Sequence, residues 1–225
     1  MEPFMTRAHF RAALQNPALP DDALSAMLAA DAPNAAGAVR AGRCLTLALY
    51  RHEGQLFLYA ELPDPTLSPA ALFPRLSAAL ALWPERQGPT PWAPMYHIYY
   101  HCIPESEAQW QAARHGKKAR RGRIAYLKHD KLFSYTYHHQ AIVQEGLLEG
   151  DQYQSIALHE DVLFSYFEEP KHFTHIKKED SAPSRVIENW LAVDPESHFD
   201  HALTCSDSNF LMLPMVFSVG KEDFV

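Results

Sequence analysis

Hydrophobic and polar positions alternate most clearly in two neighbouring segments of the first half of the chain. Residues 44–50 (CLTLALY) and 55–62 (QLFLYAEL) are rich in β-branched and aromatic side chains, and a short polar stretch ending in Gly54 separates them. The pattern predicts a β-hairpin. A helical pattern follows over 69–83, with Pro74 as a first turn or a break.

Residues 94–102 (PMYHIYYHC) read as one more strand of the first half. Regular alternation would place Tyr96, Ile98 and Tyr100 on one face and His97, Tyr99 and His101 on the other. The second half repeats the kinds of element in a similar order. The predicted elements there are a strand at 123–127, a helix over 135–148, a hairpin of 153–158 and 162–167, a polar loop at 170–183, a helix near 184–193 and a strand at 213–219.

Three short matches in the same order indicate that the two halves are copies of one unit. Residues 56–61 (LFLYAE) match 163–168 (LFSYFE), Trp-Pro-Glu at 83–85 matches Asp-Pro-Glu at 194–196, and Pro-Met occurs at 94–95 and 214–215. Three matches in the same order, with the same kind of element between them, favour duplication. We therefore predict a unit at 1–103, a basic linker at 104–122 and a second unit at 123–225.

The repeated order of hairpin, helix and strand predicts an α+β fold built from two ferredoxin-like units. Each unit would form a four-stranded antiparallel sheet with helices on one face. The two bare sheet faces would cover each other as an intramolecular dimeric α+β barrel. The first copy looks degenerate, because its opening strand is not visible and an alanine-rich stretch at 21–41 replaces the Tyr/His-rich helix.

Composition narrows the classes of function. The formal charge of −7 argues against a nucleic-acid partner, and no apolar stretch is long enough to span a bilayer, so we expect a cytoplasmic protein with no membrane association. The three scattered cysteines are expected to be free thiols. The basic run at 114–123 is either a solvated connector or a phosphate-binding patch.

The second half carries the candidate chemistry. If 135–148 is helical, Tyr135, His139 and Ile142 share one face, giving a phenol, an imidazole and an aliphatic group side by side. Facing a cleft, they would supply proton donors and acceptors near neutral pH. The alternative is that His139 and Tyr135 are hydrogen-bonded members of the core.

The segment Tyr135-Thr-Tyr-His-His139-Gln-Ala-Ile142 resembles the first helix of the L-rhamnose mutarotases, which carries Tyr-x-x-x-His-x-x-Ile. The resemblance covers about the last hundred residues and includes a Trp-bearing second helix (Trp190). It implies a cofactor-free, metal-free isomerase of the aldose 1-epimerase type that interconverts the anomers of a hexose or deoxyhexose. His139 and Tyr135 would then be catalytic, and Trp190, Tyr153 and Ile142 would bind the sugar.

Other interpretations stay open. The pairs His172/His175 and His198/His201 have the spacing of metal ligands, although both fall in predicted loops. The same fold also resembles haem-binding and cofactor-free oxygenases, in which a histidine ligates haem in some members. A duplicated domain can also bind a small molecule without catalysis. Whether the chain is an enzyme, and whether the internal pair forms a homodimer, are left open.

Overall fold

The computed structural model describes residues 4–100, 104–112, 119–145, 154–170, 184–204 and 208–224. These residues divide into two compact units. The first unit holds the chain up to Met95, Pro104–Trp110 and the end of the chain from Leu213. The second holds Tyr96–Ile103 and Gln111–Met212. Among the described residues, no helix combines the length and the apolar character required to cross a membrane.

The first unit is a five-stranded antiparallel sheet with helices. Its elements are β1 (Thr6–Ala13), α1 (Asp21–Arg40), β2 (Thr46–His52), β3 (Gln55–Leu62), α2 (Pro69–Leu72), α3 (Pro74–Ser77), β4 (Ala93–Pro94) and β10 (Met215–Gly220). The strands lie in the sheet order β10-β2-β3-β1-β4. The hairpin predicted at 44–50 and 55–62 is confirmed as β2 and β3. The short helix α4 (Glu107–Ala112) begins in this unit.

The second unit repeats the arrangement, with the sheet order β5-β7-β8-β6-β9. Its hairpin, β7 and β8, confirms the predicted one. The elements are β5 (Tyr96–Tyr100), β6 (Ala119–Tyr126), α5 (Leu132–Gln144), β7 (Ser155–His159), β8 (Val162–Glu169), α6 (Arg185–Ala192), α7 (His201–Thr204) and β9 (Leu211–Met212). The predicted α+β class with two ferredoxin-like units is therefore confirmed.

The domain boundaries differ from the predicted division at 1–103, 104–122 and 123–225. The strand predicted at 94–102 is split, so that β4 pairs with β1 of the first sheet while β5 pairs with β7 of the second. The strand predicted at 213–219 is β10, and it pairs with β2 of the first sheet rather than with the second sheet. The short strand β9, just before the predicted one, pairs with β6 of the second sheet. The two Pro-Met matches lie where the chain passes from one sheet to the other.

The predicted basic linker also needs correction. Residues 107–112 form α4, and β6 begins at Ala119, inside the predicted linker. Arg120 to Arg123 of the basic run therefore belong to a paired strand rather than to a solvated connector. Of these arginines, Arg121 is exposed, whereas Arg120 and Arg123 are only partly exposed.

Each helix layer covers one apolar sheet face. In the first unit, α1 buries Leu24 and Leu28 against strand residues that include Leu47 and Leu58. The predicted helix at 69–83 is shorter and is broken at Pro74, since proline cannot donate to the preceding turn. The buried carboxylate of Asp31 accepts hydrogen bonds from the first backbone N–H groups of α3.

A buried hydrogen bond occurs at equivalent positions of the two hairpins. The hydroxyl of Tyr59 donates to Glu61 Oε1 at 2.8 Å, and that of Tyr166 donates to Glu168 Oε1 at 2.6 Å. All four side chains are buried. The repeat predicted from 56–61 and 163–168 thus extends to the same side-chain interaction, at the same place in each sheet.

Candidate functional site

Helix α5 is positioned by one buried face. Tyr135, His138, His139 and Ile142 are its buried residues, at a spacing of three and four that places them on one side of a helix. Its exposed side carries Phe133 and Tyr137. The residues predicted to share a face do so, and that face packs against β5 of the second sheet.

The backbone of the helix fixes the tautomer of His139. Its Nδ1 lies 2.9 Å from the carbonyl oxygen of Tyr135, one turn earlier. A carbonyl only accepts, so Nδ1 carries the hydrogen and Nε2 keeps its lone pair when the ring is neutral. Burial lowers the pKa of His139 to about 4. The side chain is therefore a neutral base, not a cation, at neutral pH.

Aromatic rings surround His139. The ring of Tyr135 stacks on it with centroids 3.9 Å apart, and the ring of Trp190 meets it edge to face at 4.9 Å. Trp190 lies on α6, whose first turn is capped by Ser184, and it also contacts His138 and His198. The pairing of His139 with Trp190 that the sequence predicted is present.

Two phenols lie close to this cluster. Tyr135 is buried, and burial raises its pKa. Tyr99 on β5 contacts the His139 ring at 5.7 Å, and burial raises its pKa to about 12. Both phenols therefore stay protonated across the physiological range, as hydrogen-bond donors.

A partly buried cation completes the site. Arg123 on β6 donates from Nε to Ser165 Oγ at 3.3 Å, and its guanidinium lies over the rings of Phe167 and Phe210. Burial lowers the pKa of Arg123, and its charge acts on Tyr135 and Tyr99. No carboxylate forms an ion pair with Arg123 within the part of the chain that the structure describes.

His198 supports the cluster from the opposite side. Its Nδ1 donates to the carbonyl oxygen of Asp194 at 3.1 Å, so its Nε2 accepts from the hydroxyl of Ser134 at 3.0 Å. Ser134 immediately precedes Tyr135 on α5. These bonds connect the segment after α6 to the start of α5 and hold the rings of Tyr135 and Trp190 in place.

The structure places most of the predicted site residues together. Tyr135, His139 and Ile142 are buried on α5, and Trp190 packs against two of them. Tyr153, His172 and His175 lie outside the described residues. His198 is in the aromatic cluster, whereas His201 lies 3.6 Å from Glu196. Among described residues, no three His, Cys, Asp or Glu side chains are grouped to hold a metal.

Sequence reasoning missed Arg123 and Tyr99 as members of the site. Tyr99 was expected on the face of His97, but a bulge between His97 and Tyr99 shifts the register against β7, so that Tyr99 turns toward α5. The signal for Arg123 is visible in the sequence. It occupies an alternate position of a strand two residues before the buried Ala125, where an apolar residue is normal.

No family model and no curated protein matches the sequence. Among solved structures, one of a candidate monooxygenase from Lactobacillus acidophilus NCFM is similar over 96% of this chain and 97% of that chain, with 7% identity and a TM-score of 0.43. A candidate monooxygenase from Fusobacterium nucleatum is similar over 98% of this chain and 96% of that chain, with 10% identity and a TM-score of 0.44. A mutant chlorite dismutase from Candidatus Nitrospira defluvii, in complex with cyanide, is similar over 93% of this chain and 90% of that chain, with 12% identity and a TM-score of 0.36. At these values the likeness carries no argument about function.

Proposed function

We propose that the second unit binds a small anionic organic molecule beneath helix α5, with Arg123 holding the negative oxygen and His139 exchanging a proton with the ligand. The observation that carries this proposal is the partly buried guanidinium of Arg123, which has phenol, hydroxyl and ring neighbours but no described carboxylate. A buried charge without a counter-ion is costly, so an anionic ligand would stabilise the site.

The chemistry available is general acid/base catalysis. The Nε2 lone pair of His139 accepts a proton, while the hydroxyls of Tyr99 and Tyr135 remain donors. A base placed beside the reacting group contributes about 10²–10⁴ in rate. The low pKa of His139 makes it a weak base in the unliganded protein, and a bound anion nearby would raise that pKa.

Interconversion of sugar anomers is the reaction that this set of groups supports best. Opening the ring of a sugar requires a proton at the ring oxygen and removal of one from the anomeric hydroxyl, and Trp190 supplies an aromatic wall of the kind that packs on a sugar ring. The charge of the partly buried Arg123 favours a sugar acid over a neutral hexose. The finer proposal is therefore a cofactor-free mutarotase that acts on uronic acids.

A haem does not fit the residues as arranged. A porphyrin is much larger than one sugar ring and its iron would have to bond His139 Nε2 directly, whereas the His139 ring is 9% exposed and has Tyr135, Trp190 and Tyr99 rings around it. Titrating hemin into the purified protein should give no saturable Soret shift. A saturable shift lost in His139→Gln would favour the oxygenase-like alternative.

Saturation-transfer NMR tests the proposed reaction. Anomer exchange of D-glucuronate should be faster with the protein than with buffer, and faster relative to buffer than that of D-glucose or L-rhamnose. The acceleration should fall at least 10²-fold in His139→Gln, because the proton acceptor is lost. Exposed His129→Gln is the matched control. If none of the three sugars exchanges faster than in buffer, the mutarotase proposal is wrong for them, and binding of anions remains to be measured separately.

A further inference from the structure

The first unit has an open cleft of about 430 Å³ whose lining residues all belong to that unit. Phe10 on β1, Trp92 and Pro94 form one part of its lining, and Pro69 and Ala70 of α2 form another. A volume in this range is typical of small-molecule sites. We propose that this cleft binds an uncharged, planar aromatic molecule.

The walls favour a flat apolar ligand. The rings of Phe10 and Trp92 and the side chains of Pro69 and Pro94 present carbon surfaces, and such surfaces pack against aromatic rings with little loss of side-chain freedom. The indole Nε1 of Trp92 already donates to Ser77 Oγ at 2.8 Å. Trp92 is 3% exposed, so the indole offers the cleft a small patch of ring carbon and no free N–H group.

The rim favours an uncharged ligand. Glu85 and Arg86 both line it, so the fixed charges at the opening sum to zero. Gln87 follows at the same rim and can donate to or accept from one hydroxyl or carbonyl of the ligand. A charged ligand would be attracted by one of these two side chains and repelled by the other, so its charge would add no net electrostatic energy to binding.

The rim is held in shape before any ligand binds. Trp83 and Thr90 exchange two backbone hydrogen bonds, of 2.8 and 3.0 Å, which close the loop between them. Within it, the Gly88 N–H donates to the Glu85 carbonyl oxygen, and Gly88 has φ +114°, a conformation open to glycine. A preformed site loses less entropy on binding.

The probe for this proposal is 2-naphthol, with 2-naphthoate as its charged counterpart. Two-dimensional NMR should show saturable shifts of the Ala70 and Gly88 amides with 2-naphthol and weaker binding of 2-naphthoate. Ala70→Trp fills the cleft and should weaken 2-naphthol binding at least 10-fold. Ala71→Trp, at the exposed neighbour on the same helix, is the control and should bind like wild type.

Three outcomes would overturn the proposal. They are the absence of saturable shifts up to the solubility of 2-naphthol, equal binding by Ala70→Trp and wild type, and equal or tighter binding of 2-naphthoate. If Ala70→Trp does not fold, the smaller Ala70→Leu serves instead and should weaken binding several-fold. Because every lining residue belongs to the first unit, Arg123→Met in the second unit should leave 2-naphthol binding unchanged.

Discussion

The two units place opposite chemistry at one position of the same scaffold. Phe10 pairs with Leu58 on the central strands of the first sheet, and Arg123 pairs with Ser165 at the equivalent position of the second. In the first unit this position lines an open cleft with aromatic walls. In the second it carries a partly buried cation beside a neutral histidine. The duplicated sheets therefore keep their backbone pairing while the side chains at single alternate positions differ in charge and polarity.

Truncating an equivalent buried side chain in either unit should lower the stability of the protein by a similar amount. Phe57 and Phe164 are equivalent residues on β3 and β8, and both are fully buried. We expect Phe57→Ala and Phe164→Ala each to lower the free energy of unfolding by about 3–5 kcal/mol, because both leave a cavity. Denaturant unfolding measures this. A loss below about 1 kcal/mol at one site only would show that the scaffolds are not equivalent.

The buried His139 of the second unit should make the stability of the protein depend on pH. The pKa of His139 is about 4 in the folded state and 6.5 in an exposed histidine, so the unfolded state binds more protons between these values. Stability should therefore fall as the pH drops from 6.5 toward 4, by about 3 kcal/mol for this residue.

Unfolding of His139→Gln should lack that portion of the pH dependence. The exposed His129→Gln is the control and should retain the slope of the wild type. An unchanged slope in His139→Gln would mean that His139 is accessible to protons in the folded protein, which contradicts its burial.

The duplicated hydrogen bond offers a smaller and symmetrical test. Tyr59→Phe and Tyr166→Phe each leave a buried glutamate without one donor. The expected loss is about 1–3 kcal/mol in each unit. Glu61 keeps a second donor, Trp110 Nε1 at 2.8 Å, so the loss at Tyr59 should lie at the lower end. A much larger loss for Tyr59→Phe than for Tyr166→Phe would contradict this.

The smallest expected effect on stability is at the position that separates the two units. Arg123→Met keeps most of the apolar stem and removes a partly buried charge, while it loses the contacts with Phe167 and Phe210. These effects have opposite signs, so the free energy of unfolding should change by less than about 1 kcal/mol. A loss of several kcal/mol would show that Arg123 is a structural residue.

Periodicity was sufficient to predict both hairpins, the duplication and the shared face of Tyr135 and His139. It was insufficient where the chain departs from regular alternation. The bulge at Ile98 turned Tyr99 toward α5, and the assignment of β4 and β10 to the first sheet depends on pairing partners far along the chain. The opening strand, β1, was missed because Arg7, His9 and Arg11 look like exposed residues, although they are buried on its polar face.

The central claim is that the second unit accepts an anion at Arg123 beside a neutral His139. Its most direct test is NMR of the Arg123 Nε–H and His139 ring signals during titration with acetate or D-glucuronate, with acetamide and D-glucose as neutral counterparts. We predict that both signals shift together and saturate with the carboxylates only, and that Arg123→Met abolishes the His139 response. Equal shifts with the neutral compounds, or no saturable shift with either carboxylate, would contradict the claim.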